Sequence, residues 1–181
     1  NIVLTRRGGV CDFVKVLDFG LVKAVHVASA DRVVSNAVVG TPHFMPPEAV
    51  ERPDSVGPLS DLYSLGAVGY WLLTGKTLFD HDTVEGLLAR QVKELPISPS
   101  QRLGTPVSAD LAELLMQCLA KSPGQRPPGA EAFDRALGRC RSAETWTAAH
   151  AEEWWRANIG AVAALPAATM AEKTLVIAPR P

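Results

Sequence analysis

The spacing of apolar positions changes along the chain, and each change predicts a different element. Ile2-Val3-Leu4-Thr5 and Phe13-Val14-Lys15-Val16-Leu17 are short β-rich runs. Arg6-Arg7-Gly8-Gly9 between them supplies glycines that tolerate positive φ, so the pair is expected to be a hairpin. From 21 to 58 no period persists, and Gly40, Pro42, Pro46, Pro47, Pro53, Gly57 and Pro58 punctuate the stretch. So long an irregular run inside a compact domain is either functional or wrongly assigned.

Helical spacing then takes over. Ser60 can cap a helix over 61–74, with Asp61 in its positive first turn and Gly75 just past its end. Positions 62, 63, 65, 67, 68, 70, 71, 72 and 73 are all apolar, which predicts a central pillar buried all round. A second helix is expected over 83–92, followed by a Pro/Ser-rich loop to Pro106. Ser108 caps a third, in which Leu111, Leu114, Leu115, Cys118 and Leu119 share one face, and it stops before Ser122-Pro123. Ala130, Phe133, Leu137 and Cys140 mark a fourth. Trp146-Thr147 opens a short helix reaching Arg156, an Ala/Pro-rich tether follows Gly160, and 174–177 can form a terminal strand.

Composition narrows the function classes. A chain of 181 residues has room for one ordinary domain, and 47% hydrophobic with 20% charged residues excludes disorder as its main state. Eighteen basic against nineteen acidic side chains leave a net charge of −1, so no basic footprint points to nucleic acid or an anionic membrane. Cys11, Cys118 and Cys140 form an odd set without C-x-x-C spacing, which fits a reduced, cytoplasmic setting. The most apolar stretch, 62–73, is shorter than the roughly 18 to 20 residues that span a bilayer, so no membrane segment is expected. The chain opens on Asn1 and runs at once into Ile2-Val3-Leu4, which reads as a truncation.

Candidate chemistry gathers around one tripeptide. Asp18-Phe19-Gly20 ends the second strand, and a carboxylate on a rigid edge beside a movable loop suits a metal-phosphate site. Farther on stand Gly40-Thr41-Pro42-His43-Phe44-Met45-Pro46-Pro47-Glu48, then Ser60-Asp61-Leu62-Tyr63-Ser64-Leu65-Gly66, then Lys121-Ser122-Pro123-Gly124-Gln125-Arg126-Pro127. In order and spacing these match the C-terminal half of the protein kinase signature set. His26, His43, His81 and His150 show no metal-ligand spacing, and Gly8-Gly9 and Gly66-x-x-Gly69 lack phosphate-loop context. Trp146, Trp154 and Trp155 read as docking residues for the tail.

The chain thus resembles the C-terminal lobe of a bacterial, eukaryotic-like serine/threonine protein kinase, over about residues 1–140. The fold expected from the resemblance is mainly α with a small β-hairpin: a kinase-like C-lobe whose N-lobe is missing, the parent being α+β. Its activation segment would run 18–48, with a Trp-containing helical extension over 141–159 and an Ala/Pro-rich tail over 160–181.

The resemblance also implies roles. Asn1 stands where the catalytic-loop asparagine would end, and with Asp18 it would hold Mg²⁺ over the ATP phosphates, Phe19 and Gly20 completing the nucleotide-side motif. Thr41 belongs to a substrate loop of the kind that accepts Ser or Thr hydroxyls, so the partner is a protein substrate. Glu48 and Arg126 would form an ion pair pinning the activation segment to the helical body, and Asp61 would hold the catalytic loop. Pro46 replaces the usual alanine and stiffens its turn. Ser29 and Ser35 are either solvated loop serines or phosphorylation sites that order the segment. The Gly-rich loop, strand lysine and catalytic aspartate do not occur in the 181 residues, so the fragment alone is expected to be inactive. The implied function is transfer of the ATP γ-phosphoryl group to protein Ser/Thr hydroxyls; the alternative is a pseudokinase lobe that binds a protein partner without catalysis.

Overall fold

A glycine pair reverses the chain within two residues. Gly8 and Gly9 have φ of +55° and +85°, the left-handed pair that a two-residue hairpin turn requires. They join β1 (Ile2–Arg7) to β2 (Val10–Val16), antiparallel. The computed structural model describes residues 2–17, 38–143, 145–163 and 175–177. These are mostly helical, with two small antiparallel sheets of two strands each. No helix among the described residues is long and apolar enough to cross a membrane.

The described residues fall into two compact units. The first takes in 2–17 and 145–163, and the second 38–143 and 175–177. In the first, the strands run farther toward the turn than the β-rich runs predict, so Arg6, Arg7 and residues 10 to 12 belong to the strands and only Gly8 and Gly9 loop out. The register slips by one between Thr5 and Arg7, leaving Cys11 and Asp12 opposite Arg6. Asp12 is the extra residue of this bulge and takes φ of +56°, a conformation that aspartate tolerates better than most residues. Its two carboxylate oxygens each accept an indole N–H, from Trp146 and from Trp155, both at 2.7 Å. Those indoles flank the start and middle of α7 (Ala148–Ala163). Thr147 caps this helix by accepting from the His150 backbone at 3.4 Å, while the Thr147 backbone donates to His150 Nδ1 at 3.2 Å. α7 therefore continues past Arg156 and takes up the start of the stretch expected to be a tether, because alanine-rich sequence favours helix.

The second unit is built on α2 (Pro58–Thr74). Its cap is Gly57 and not Ser60: Pro58 presets the first helical φ, and Ser60 Oγ accepts from the Gly57 backbone N–H at 3.1 Å. Gly75, at φ +66°, ends the helix as expected. The pillar is buried on one side only. Leu62, Tyr63, Gly66, Ala67 and Tyr70 are buried, while Leu65, Trp71 and Leu72 are exposed, Leu72 at 71%. All-round hydrophobicity does not specify how many sides find partners.

Around α2 stand α1 (Pro47–Glu51), α3 (Val84–Lys93), α4 (Pro99–Leu103), α5 (Ala109–Cys118) and α6 (Ala130–Leu137). Two of these were not expected. α1 lies inside the stretch without a period, and α4 lies inside the Pro/Ser-rich loop, capped by reciprocal bonds between Ser98 and Gln101. Ser108 does stand at the start of α5, but its hydroxyl donates to Asp110 rather than capping the backbone. Short β3 (Val38–Gly40) pairs antiparallel with β4 (Leu175–Ile177), which realises the terminal strand.

Two apolar clusters share α2. Tyr63, Ala67 and Tyr70 pack with Leu78, Phe79, Leu87 and Leu119; Leu62 packs with Leu114, Cys118, Phe133 and Cys140. α5 comes close because α2 carries glycines where the two meet. A Cβ on Gly66 would sit 2.7 Å from Cys118 Cβ, and one on Gly69 would sit 2.6 Å from Leu115 Cδ2.

Two outcomes are expected. Gly66→Ala forces a backbone shift and should cost about 1–3 kcal/mol in urea unfolding, whereas Gly69→Ala meets the tip of a rotatable leucine and should cost less. Equal losses would contradict this packing. Asp12→Ala removes both indole acceptors and the residue suited to positive φ, so tryptophan emission should shift to the red and α7 amides should exchange faster. Asp12→Asn, which keeps one acceptor oxygen, should fall between the two.

Candidate functional site

The segment closing the irregular stretch is held from below by side chains of other elements. After β3 the chain makes a tight 3₁₀ turn over Pro42–Phe44, with Thr41 in extended conformation just ahead of it. Three successive carbonyls of this turn point inward. Pro42 O and His43 O accept from Gln91 Nε2 at 3.3 and 2.8 Å, and Phe44 O accepts from the Ser64 hydroxyl at 2.9 Å. Phe44 also packs on the Tyr63 cluster, and Met45 is buried. Pro46 then stays extended, as a residue before proline must, and Pro47 opens α1 with its φ already set.

That opening delivers Glu48 to the interior. Its carboxylate meets Arg126 side by side, Nη1 to Oε1 at 2.6 Å and Nη2 to Oε2 at 2.8 Å. The side chains of Arg126 and Glu48 are 0% and 2% exposed. Arg126 arrives there because Ser122-Pro123 starts a 3₁₀ turn and Pro127 forces the residue before it into extended conformation. The remaining guanidinium donors are used on Ala120 O (2.9 Å), Leu59 O (2.8 Å) and Lys121 O (3.2 Å). Ser60 donates to Glu48 Oε1 at 2.7 Å. Burial alone would raise the Glu48 pKa, but the bonds from Arg126 and Ser60 outweigh it and hold the carboxyl below its ordinary 4.5.

A second polar group lies beside the first. The Tyr63 hydroxyl donates to Gln91 Oε1 at 2.7 Å and lies 3.3 Å from Lys121 Nζ, which also donates to Gln91 O at 2.6 Å. Burial pushes the Tyr63 phenol up and keeps it protonated. Burial, and then the neighbouring Arg126 charge, bring Lys121 down to about 8. Lys121 Nζ sits 4.8 Å over the Phe79 ring.

The predicted site residues divide into two groups. Asn1, Asp18, Phe19, Gly20, Ser29 and Ser35 lie outside the described residues. Thr41, Glu48, Asp61 and Arg126 lie inside them. Glu48 and Arg126 meet; Thr41 is partly exposed at the mouth of the turn; Asp61 is exposed in the first turn of α2, and its carboxylate accepts no hydrogen bond among the described residues. No group of three or more His, Cys, Asp or Glu suited to a metal occurs among the described residues. Sequence reasoning missed Ser60, Tyr63, Ser64, Gln91 and Lys121 as members of the site. Gln91 carried a readable signal: it follows Leu87 by four and Leu88 by three, which puts an amide on the buried stripe of α3.

Arg126→Ala leaves the Glu48 carboxylate buried without its counter-charge and should cost about 3–5 kcal/mol, read as a lower denaturation midpoint at constant slope. The pH dependence has a defined sign. Because the folded-state pKa of Glu48 is depressed, its contribution is complete above 4.5 and is lost as pH falls through the lowered value. Glu48→Gln should flatten that part of the acid-unfolding curve.

Comparison with known proteins gives the family. Residues 1–136 match the protein kinase domain family. The chain is 36% identical over 140 residues to the serine/threonine-protein kinase pkn3 of Myxococcus xanthus, covering 76% of this chain and 25% of that protein. It is 40% identical over 139 residues to Pkn1 of the same organism, covering 76% and 19%, and 38% identical over 131 residues to PknB of Mycobacterium tuberculosis, covering 72% and 21%. The chain therefore spans a quarter or less of the length of these relatives. With a match over most of its length, the chain belongs to the protein kinase domain family.

Proposed function

We propose that residues 1–140 are the C-terminal lobe of a serine/threonine protein kinase that transfers the ATP γ-phosphoryl group to protein hydroxyls. The observation that carries this reading is the buried Glu48–Arg126 pair, which anchors the end of segment 18–48 directly after the turn bearing Thr41. Such a transfer depends on positioning and charge stabilisation more than on covalent chemistry, so a rigid platform for the acceptor is what the lobe must supply. The names of the relatives support Ser/Thr acceptors.

Protein kinases in general use ATP and Mg²⁺. In this reading Asn1 and Asp18 hold the metal, with Phe19 and Gly20 beside it. Thr41 faces the acceptor, Asp61 steadies the catalytic loop, and Ser29 or Ser35 takes a regulatory phosphate. The N-lobe, carrying the Gly-rich loop and lysine, is supplied by the parent protein.

The test is phosphotransfer by the full-length protein to a Ser/Thr peptide library with labelled ATP and Mg²⁺. Label is expected on Ser and Thr, and Asp18→Ala should reduce it ~100-fold or more. A full-length protein that binds ATP or a protein partner but incorporates no label would instead be a scaffold.

A further inference from the structure

We propose that Gln91 on α3 is a positioning residue for the acceptor substrate, setting the turn at 42–44 through a directed chain of hydrogen bonds. The inference rests on the kinase reading above and extends it to a residue outside every kinase signature motif of the chain.

Donor and acceptor capacities give the chain its direction. Lys121 has donors only; a tyrosine hydroxyl accepts and donates; a glutamine accepts at oxygen and donates at nitrogen; backbone carbonyls only accept. Lys121 Nζ donates to the Tyr63 hydroxyl (3.3 Å), which donates to Gln91 Oε1 (2.7 Å). Gln91 Nε2 is thereby turned toward the carbonyls of Pro42 (3.3 Å) and His43 (2.8 Å). The two carbonyls admit only a donor, so the amide faces them with Nε2 and presents Oε1 to the Tyr63 hydroxyl, whose own oxygen accepts from Lys121 and leaves its hydrogen for Gln91. Lys121 also donates to the Gln91 backbone carbonyl at 2.6 Å, which ties this point of α3 to the same cation.

The Gln91 residue is 0% exposed, and every polar atom of its side chain has a partner. Burying a flexible amide costs side-chain entropy and desolvation, and a leucine here would continue the stripe of Leu87 and Leu88. What the amide adds is control over two consecutive peptide units of the turn that follows Thr41. With these carbonyls drawn inward, the turn cannot rise or rotate without breaking hydrogen bonds to a fully buried amide. A protein acceptor laid across Thr41 therefore meets a surface of fixed height, and the restraint acts on the peptide, not on the nucleotide.

The test uses Gln91→Glu in the full-length protein, with Tyr63→Phe as the second variant should the first fail to fold. Glutamate keeps the shape and one acceptor but puts an oxygen where Nε2 donates. Amide exchange at Phe44 and Met45, whose N–H groups close the turn on Thr41 O and Pro42 O, reads the turn without requiring activity. Steady-state kinetics read acceptor peptide and ATP separately. Expected for Gln91→Glu are faster exchange at both amides, a KM for peptide raised about tenfold, and a KM for ATP within about twofold of wild type. Tyr63→Phe, which leaves Gln91 Oε1 without its donor and loosens the amide, should move the same quantities in the same direction by less.

Unchanged exchange at 44 and 45 would overturn the proposal. So would faster exchange with an unchanged peptide KM, or equal increases in both KM values. A wild-type protein that transfers no phosphate to any peptide would overturn the kinase reading, and the acceptor role with it. That failure is distinguishable because it appears before any substitution is made, while the exchange measurement still reports whether Gln91 holds the turn.

Discussion

Everything near Thr41 depends on a guanidinium that has nowhere else to go. Burying the Arg126 guanidinium is costly unless every donor is used. Here every donor is used: two on the carboxylate of Glu48 and the rest on Leu59, Ala120 and Lys121 carbonyls. The arrangement brings α1, the start of α2 and the turn before α6 to one point, with bond directions that fix their mutual rotation as well as their separation. A lysine would supply the charge without the fork, and the side-by-side geometry would be lost. Buried ion pairs seldom add much net stability over a well-packed apolar alternative, so the gain here is uniqueness of arrangement.

The Lys121–Tyr63–Gln91 chain draws on that anchor. Arg126 lies 5.1 Å over the Tyr63 ring, on whose hydroxyl the chain turns, and its charge helps bring Lys121 down to about 8. Two polar groups in one core thus divide the labour. The ion pair locates α1, and the neutral amide adjusts the turn leading into it.

Periodicity made much of the framework legible. The glycine pair announced the hairpin, and the third and fourth helices lie where their apolar stripes put them. Periodicity could not say which side of α2 would be covered, because Leu65 and Leu72 look like Leu62 until partners are known. Nor could it assign Ser60, since a serine ahead of an apolar run reads as a cap, whereas this one bridges the Gly57 backbone and the Glu48 carboxylate. Glu48 and Arg126, 78 positions apart, were paired only through the family resemblance. Asp12 was invisible in a different way: nothing in Cys11-Asp12-Phe13 marks a left-handed residue inside a strand.

The indole bonds of Asp12 separate two boundaries that are easily taken as one. The match to the family model ends at residue 136, yet the compact unit containing the hairpin resumes past it and includes α7. Evolutionary and mechanical limits of the domain therefore do not coincide. A chain cut where the similarity ends would keep all of its kinase motifs but leave a strand bulge whose carboxylate faces no indole donor, a few residues past the glycine turn and shortly before Asp18. A helix beyond the matched residues is part of what gives this chain's hairpin its shape.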